Sequence, residues 1–189
     1  MEQNQLYPIF LKLNVLNVLI VGGGTVGLEK LSFLLKSSPN ATVLVVSKDF
    51  DEDFLRLANK YQVSLLKAPY NKLALKNKQL VIAATNNIEI NKQIYADCKA
   101  NNIIVNVADT PSLCDFYLGG IVTKGNIKIA ISTNGKSPTL AKRLRQFLED
   151  IIPENINELA ENLNKFRKTI KGNFSDKVNQ LNQLTEKLL

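Results

Sequence analysis

The 189-residue sequence predicts an α/β fold: a parallel sheet covered on both faces by helices, then a small α+β segment and a C-terminal helical pair. Three observations predict it. Short β-branched runs alternate with stretches of helical period as far as Val107. The first run ends in glycines spaced Gly-x-Gly-x-x-Gly at Gly22, Gly24 and Gly27. From Phe116 the alternation stops and two strands follow one another directly.

Val15 to Gly27 is an apolar β-type run closing in that glycine turn, and Leu28 to Lys36 reads as the helix that follows. Ala41 to Val46 forms the second strand, and the charged stretch from Asp51 to Lys60 the second helix. Val63 to Ala68, Leu80 to Ala84 and Ile103 to Val107 repeat the strand signal, with Ile88 to Asn101 as crossover helix between the last two. Phe116 to Thr123 and Ile127 to Thr133 then read as a hairpin closed by Lys124-Gly125-Asn126. Ser137 as N-cap and Pro138 at the first helical position start a helix over Leu140 to Glu149. Beyond Pro153, Ile156, Leu159, Leu163, Phe166 and Ile170 recur at helical spacing. Gly172 interrupts, and Val178, Leu181, Leu184 and Leu188 resume. The expected division is 1–112 for the sheet domain, 113–150 for a second domain and 151–189 for the helical pair.

In such a sheet the glycine turn is where a dinucleotide's pyrophosphate rests, on a Rossmann-type strand–turn–helix. Gly22 allows the tight turn, Gly24 lets backbone approach the phosphates, and Gly27 lets the helix pack close to the strand. The free N–H groups and positive dipole end of the helix complete an anion site. A mononucleotide P-loop is excluded, because Leu28 and Glu29 stand where it needs Lys and Ser or Thr. Gly135-Lys136-Ser137 is excluded too, because Ala130 stands where the loop's first glycine belongs.

Composition narrows the chemistry. With no histidine, His-ligated zinc, Ser-His-Asp triads and imidazole acid–base catalysis are unavailable. The net charge of +7 suits an anionic partner, but the lysines are scattered, and no nucleic-acid recognition motif or dense basic helix is present. Cys98 and Cys114 lack metal-site spacing and read as reduced packing residues; no metal site is expected. No apolar run reaches membrane-spanning length and Met1 to Tyr7 is polar, so a cytoplasmic protein without membrane contact is expected.

Ligands of such sheets lie at the carboxyl ends of the strands. After the second strand, Asp49 is placed to hold the ribose hydroxyls of NAD, whereas Lys48 favours the 2′-phosphate of NADP; both also fit a solvated turn. Thr85, Asn86 and Asn87 are placed either along the cofactor or as helix caps. Asn106 and Asp109 end the fifth strand, near the expected nicotinamide end. An acid at Asp109 accepts a proton while hydride leaves a substrate, the more so if buried, or else simply caps its turn.

Tyr7 to Leu11, Val21 to Gly27, Ala83 to Asn87, Asn106 to Asp109, Cys114 to Phe116 and Ile129 to Pro138 occur in an order and spacing that resemble the precorrin-2 dehydrogenase family of sirohaem biosynthesis, from about residue 6 to 150. The resemblance implies NAD-dependent oxidation of precorrin-2 to sirohydrochlorin in a homodimer with an interlocking second domain. In some members it also implies insertion of ferrous iron. It places the catalytic aspartate at Asp109 and cofactor contacts at Thr25, Val26, Lys48 and Asp49. A polycarboxylate substrate would suit Lys136, Lys142, Arg143 and Arg145. The chain departs from the family in lacking a proline near Leu118-Gly119-Gly120, where two glycines would admit a close ligand or subunit, and no methyltransferase activity is expected of these residues. Without histidine, iron insertion would fall to Asp109, Asp115 and the substrate's pyrroles. The alternative from another class is an NAD-sensing domain without catalysis.

Overall fold

The computed structural model describes residues 4–186; Met1 to Gln3 of the polar N-terminus and Leu188 of the last apolar stripe lie outside the described residues. Five parallel strands, β1 (Asn17–Val21), β2 (Thr42–Ser47), β3 (Ser64–Lys67), β4 (Leu80–Ala83) and β5 (Ile104–Val107), form one sheet in the order β3-β2-β1-β4-β5. Helices α1 (Thr25–Ser37), α2 (Glu52–Tyr61) and α3 (Ile88–Ala100) connect β1 to β2, β2 to β3 and β4 to β5. The chain winds outward from β1 to β3, returns through one 3₁₀ turn at Lys72–Leu75, and resumes on the other side of β1. That reversal opens a crevice between the carboxyl ends of β1 and β4.

Burial follows the two-residue period of the strands. Val18 and Ile20 of β1 join Leu31 and Leu35 of α1 and Phe54 of α2 in one core. Leu19 and Val21 join Ile94 and Cys98 of α3 and Val105 of β5 in the other. Both faces are covered, so β1 and β4 are apolar at almost every position. Burial pushes the Cys98 thiol up to about 12, with the nearby Asp97 and Asp115 carboxylates acting in the same direction. Both cysteines are free.

The strand ends are flush. Val21 lies opposite both Val46 and Ala83, and Ala83 opposite Val107. The ladder runs one step past each strand: Gly22 N–H donates to Val46 O (2.9 Å), Ala84 N–H to Val21 O (2.8 Å) and Ala108 N–H to Ala83 O (2.9 Å). Every turn that leaves this edge therefore starts from nearly the same level.

The described chain forms two compact units, one ending at Leu118 and one beginning at Gly119. The first is longer than the expected 1–112 because Cys114 to Phe116 stay bound to β5: Asp115 N–H donates to Val105 O (2.8 Å) and Asn106 Nδ2 to Phe116 O (2.8 Å). The same bonds shorten the expected strand from Phe116, which begins only at Gly120.

In the second unit β6 (Gly120–Lys124) and β7 (Ile127–Ile131) form the expected antiparallel hairpin, followed by α4 (Pro138–Ile151), α5 (Ile156–Thr169) and α6 (Phe174–Thr185). Ser137 caps α4, its Oγ accepting from Leu140 N–H at 3.2 Å. The break at Gly172 (φ +116) precedes a capping box between Asn173 and Asp176. Of the two glycines at the start of β6, Gly119 is the one whose small size is needed: a Cβ there would collide with the Ile131 carbonyl, whereas one at Gly120 would make ordinary contact with Ala141 O at 3.4 Å. Among the described residues no helix is long and apolar enough to cross a membrane.

Candidate functional site

The glycine turn is a place where three backbone segments meet without room for side chains. Gly22 has φ +121, and a Cβ there would strike the Ala84 carbonyl at the end of β4; a Cβ on Gly27 would strike the Gly22 carbonyl. The start of α1 is thereby pressed against the end of β1. Gly24 differs, since a Cβ on it would meet nothing within 4 Å. It is the N-cap of α1, it and Thr25 are exposed, no side chain caps the helix, and its first turn holds no acidic residue. The N–H groups at Gly24, Thr25 and Val26 thus border open space at a positive helix end, as a phosphate cradle requires.

Gly23 and Ser47, which no motif in the sequence singles out, fasten this turn to β2. Gly23 N–H donates to Ser47 Oγ (2.9 Å), and a Cβ on Gly23 would run into the 47–50 segment. Beyond Ser47, Lys48 and Asp49 are exposed, and Asp49 Oδ1 is 2.9 Å from Lys67 Nζ at the end of β3. Lys48 lines a cleft of about 490 Å³ with Tyr70, Lys72, Gln93 and Asp97. Tyr70 donates its hydroxyl to Asp97 Oδ2 (3.0 Å); burial first, and that carboxylate second, drive its pKa upward.

After β4, Thr85 is held by the buried Asn91: Thr85 Oγ1 donates to Asn91 Oδ1 (2.6 Å), and Asn91 Nδ2 to Thr85 O (3.0 Å). Asn87, not Asn86, caps α3, accepting from Glu89 and Ile90 N–H at 2.9 and 3.1 Å. Asn86 is exposed at the same edge. Asn87 is thus the helix cap, and the Thr85 side chain shapes the turn before it.

The turn after β5 carries Asp109 in the left-handed conformation, φ +58, exposed rather than buried. Thr110 N–H closes it onto Val107 O (3.2 Å). Cys114 Sγ is within bonding distance of Val107 O (3.3 Å) and Thr110 O (3.4 Å), and burial raises its pKa against the opposing Val107 hydrogen bond. Asn106 is 6% exposed, its amide nitrogen donating to Phe116 O and Cys114 Sγ, which makes it a brace beneath the turn. Asp115 accepts from Val105 N–H (3.0 Å) through one oxygen and pairs with Lys99 (2.7 Å) through the other. Both of its oxygens are therefore engaged in bracing, and Asp109 is the carboxylate that this turn leaves exposed. No group of three or more metal-ligating side chains occurs among the described residues.

In the second unit Arg145 pairs with Glu149 (2.5 Å) and Arg143 donates to Gln146 (3.2 Å), so these two cations are engaged along α4 itself.

A flush parallel sheet, an open glycine-capped helix start and polar turns along one edge define a dinucleotide-binding α/β protein. The chain belongs to the family described as putative NAD(P)-binding, whose model matches residues 9–120. A second model, described as sirohaem biosynthesis protein central, matches residues 124–151. Among curated relatives, a "Siroheme synthase" of Psychrobacter arcticus is 43% identical over 166 residues, covering 88% of this chain and 30% of the relative. Another "Siroheme synthase", from Pseudoalteromonas translucida, is 42% identical over 170 residues, covering 90% and 36%. The chain spans about a third of the length of these relatives. The solved structure of "SirC, precorrin-2 dehydrogenase" shares the fold, with a TM-score of 0.78 at 24% identity over 95% of this chain and 89% of that one.

The open space around Gly24 separates binding from folding. Gly24→Ala should lower the thermal midpoint by only a few degrees, the cost of a poorer N-cap without any clash, yet weaken NAD binding by about tenfold or more, or about 1.4 kcal/mol. Calorimetric titration beside a thermal melt checks both halves.

Proposed function

We propose that this chain is an NAD-dependent dehydrogenase that oxidises precorrin-2 to sirohydrochlorin. The observation that carries the reading is Asp109, exposed on a left-handed turn at the same flush sheet edge as the glycine turn. The relatives named siroheme synthase and the fold shared with a precorrin-2 dehydrogenase support the choice of substrate.

The backbone N–H groups from Gly24 to Val26 hold the pyrophosphate, and Asp49 is the ligand of the ribose hydroxyls. When bound, NAD accepts a hydride. The dehydrogenation also releases a proton from the substrate, and Asp109 receives it at a carboxylate oxygen. Cys114, Asn106 and Asp115 keep that carboxylate in place through the backbone on either side of it. An NAD sensor would need no proton acceptor at this position, which sets that alternative second. Ferrous iron would enter as a second substrate in a bifunctional enzyme. Adding it to sirohydrochlorin and comparing with spontaneous insertion separates the two forms.

The second unit supports a homodimer. Leu140, Leu144, Phe147 and Ile151 recur along one face of α4 and are 40 to 58% exposed, an apolar stripe that a partner subunit would cover. In sedimentation equilibrium the wild type should be dimeric and Phe147→Glu monomeric; a monomeric wild type would remove the proposal.

Asp109→Asn tests the chemistry without disturbing the backbone, because Asn tolerates the left-handed conformation. With precorrin-2 and NAD supplied anaerobically, the variant should form NADH at least about 100-fold more slowly than wild type while binding NAD normally. Undiminished turnover would remove Asp109 from the mechanism, and no turnover by folded wild-type protein would refute the dehydrogenase.

A further inference from the structure

A carboxylate just past the second strand of such a sheet accepts hydrogen bonds from the adenosine ribose hydroxyls and repels the additional phosphate of NADP. In this chain that carboxylate, Asp49, has a cation attached. Lys67 ends β3 opposite Ser47 in the parallel register, which brings its side chain beside the loop leaving β2, with Nζ 2.9 Å from Asp49 Oδ1. The side chains are 71% and 83% exposed, so the pair adds little to folding stability. Two more lysines, Lys48 and Lys72, line the adjoining cleft. The other carboxylate there, Asp97, already accepts the Tyr70 hydroxyl. In the lining of that cleft two lysines stand against one carboxylate, so a phosphate there meets no excess of negative charge.

We propose that Lys67 is a specificity-determining residue: its ion pair with Asp49 offsets the repulsion of a ribose 2′-phosphate, so that this chain binds NADP as well as NAD. The inference rests on the dinucleotide reading of the glycine turn. Asp49 retains an oxygen for the ribose hydroxyls of NAD, while the Lys67 ammonium stands where a 2′-phosphate gains a counter-charge. One ammonium near a phosphate in this water-exposed setting changes affinity by about tenfold, and added salt reduces the effect.

The test is calorimetric titration of the full chain with NAD and with NADP, separately, at low and high salt, for wild type and Lys67→Gln. Both dinucleotides should bind the wild type with affinities within about tenfold of each other. Lys67→Gln should weaken NADP by about tenfold at low salt, less at high salt, and leave NAD within about threefold. An exposed Lys-to-Gln change is tolerated by the fold, and a matching thermal midpoint verifies that. NAD binding with NADP rejected by the wild type overturns the inference. So does an unchanged NADP affinity in Lys67→Gln. If neither dinucleotide binds, the dinucleotide reading itself fails and this inference falls with it.

Discussion

The structure depends on one close approach of backbones. The end of β1, the first turn of α1 and the end of β4 meet where a single Cβ on Gly22 or Gly27 would overlap a carbonyl oxygen. A glycine inside a helix costs about 1 kcal/mol relative to alanine, so Gly27 weakens α1 locally. What offsets it is the placement of α1: Leu31 and Leu35 reach the core under β1, and the helix start stands at the sheet edge with its N–H groups open. Ser47 then ties the turn to β2 through Gly23, and the ladder extension at Ala84 ties β4 to β1. The cradle is rigid because it is built from backbone already committed to the sheet.

The same economy holds at the other side of the crevice. Asp109 occupies a left-handed conformation that costs an ordinary residue about 1–2 kcal/mol. The turn is kept there by groups behind it: the Cys114 thiol facing two carbonyls, the Asn106 amide reaching Phe116, and Asp115 bridging Val105 and Lys99. Buried or engaged polar groups do the holding, and the Asp109 carboxylate stays exposed. The open helix start and the exposed acid thus stand on one edge of one sheet.

Much of this was legible in the sequence because it is local. The glycine spacing, the helical period of α1 to α3, Ser137-Pro138 at the start of α4 and the break at Gly172 all act within a few residues, and each stands where it was expected. What was not legible depends on register. Asn106 reads as a crevice residue until the chain folds back and offers it the Phe116 carbonyl. The strand expected from Phe116 begins at Gly120 for the same reason. Asp115, considered for metal chemistry, proves to be a brace once Lys99 and Val105 are beside it. The Asp49–Lys67 pair exists only because β2 and β3 align Ser47 with Lys67, a relation that neither segment announces alone.

Amide chemical shifts during titration of isotope-labelled protein with NAD test the central claim most directly, that the glycine turn and the Asp109 turn form one site. Signals from Gly22 to Gly27 and from Ala108 to Thr110 should move together, with one saturation midpoint. Shifts confined to residues away from the sheet edge, or two turns that saturate at different concentrations, would contradict it.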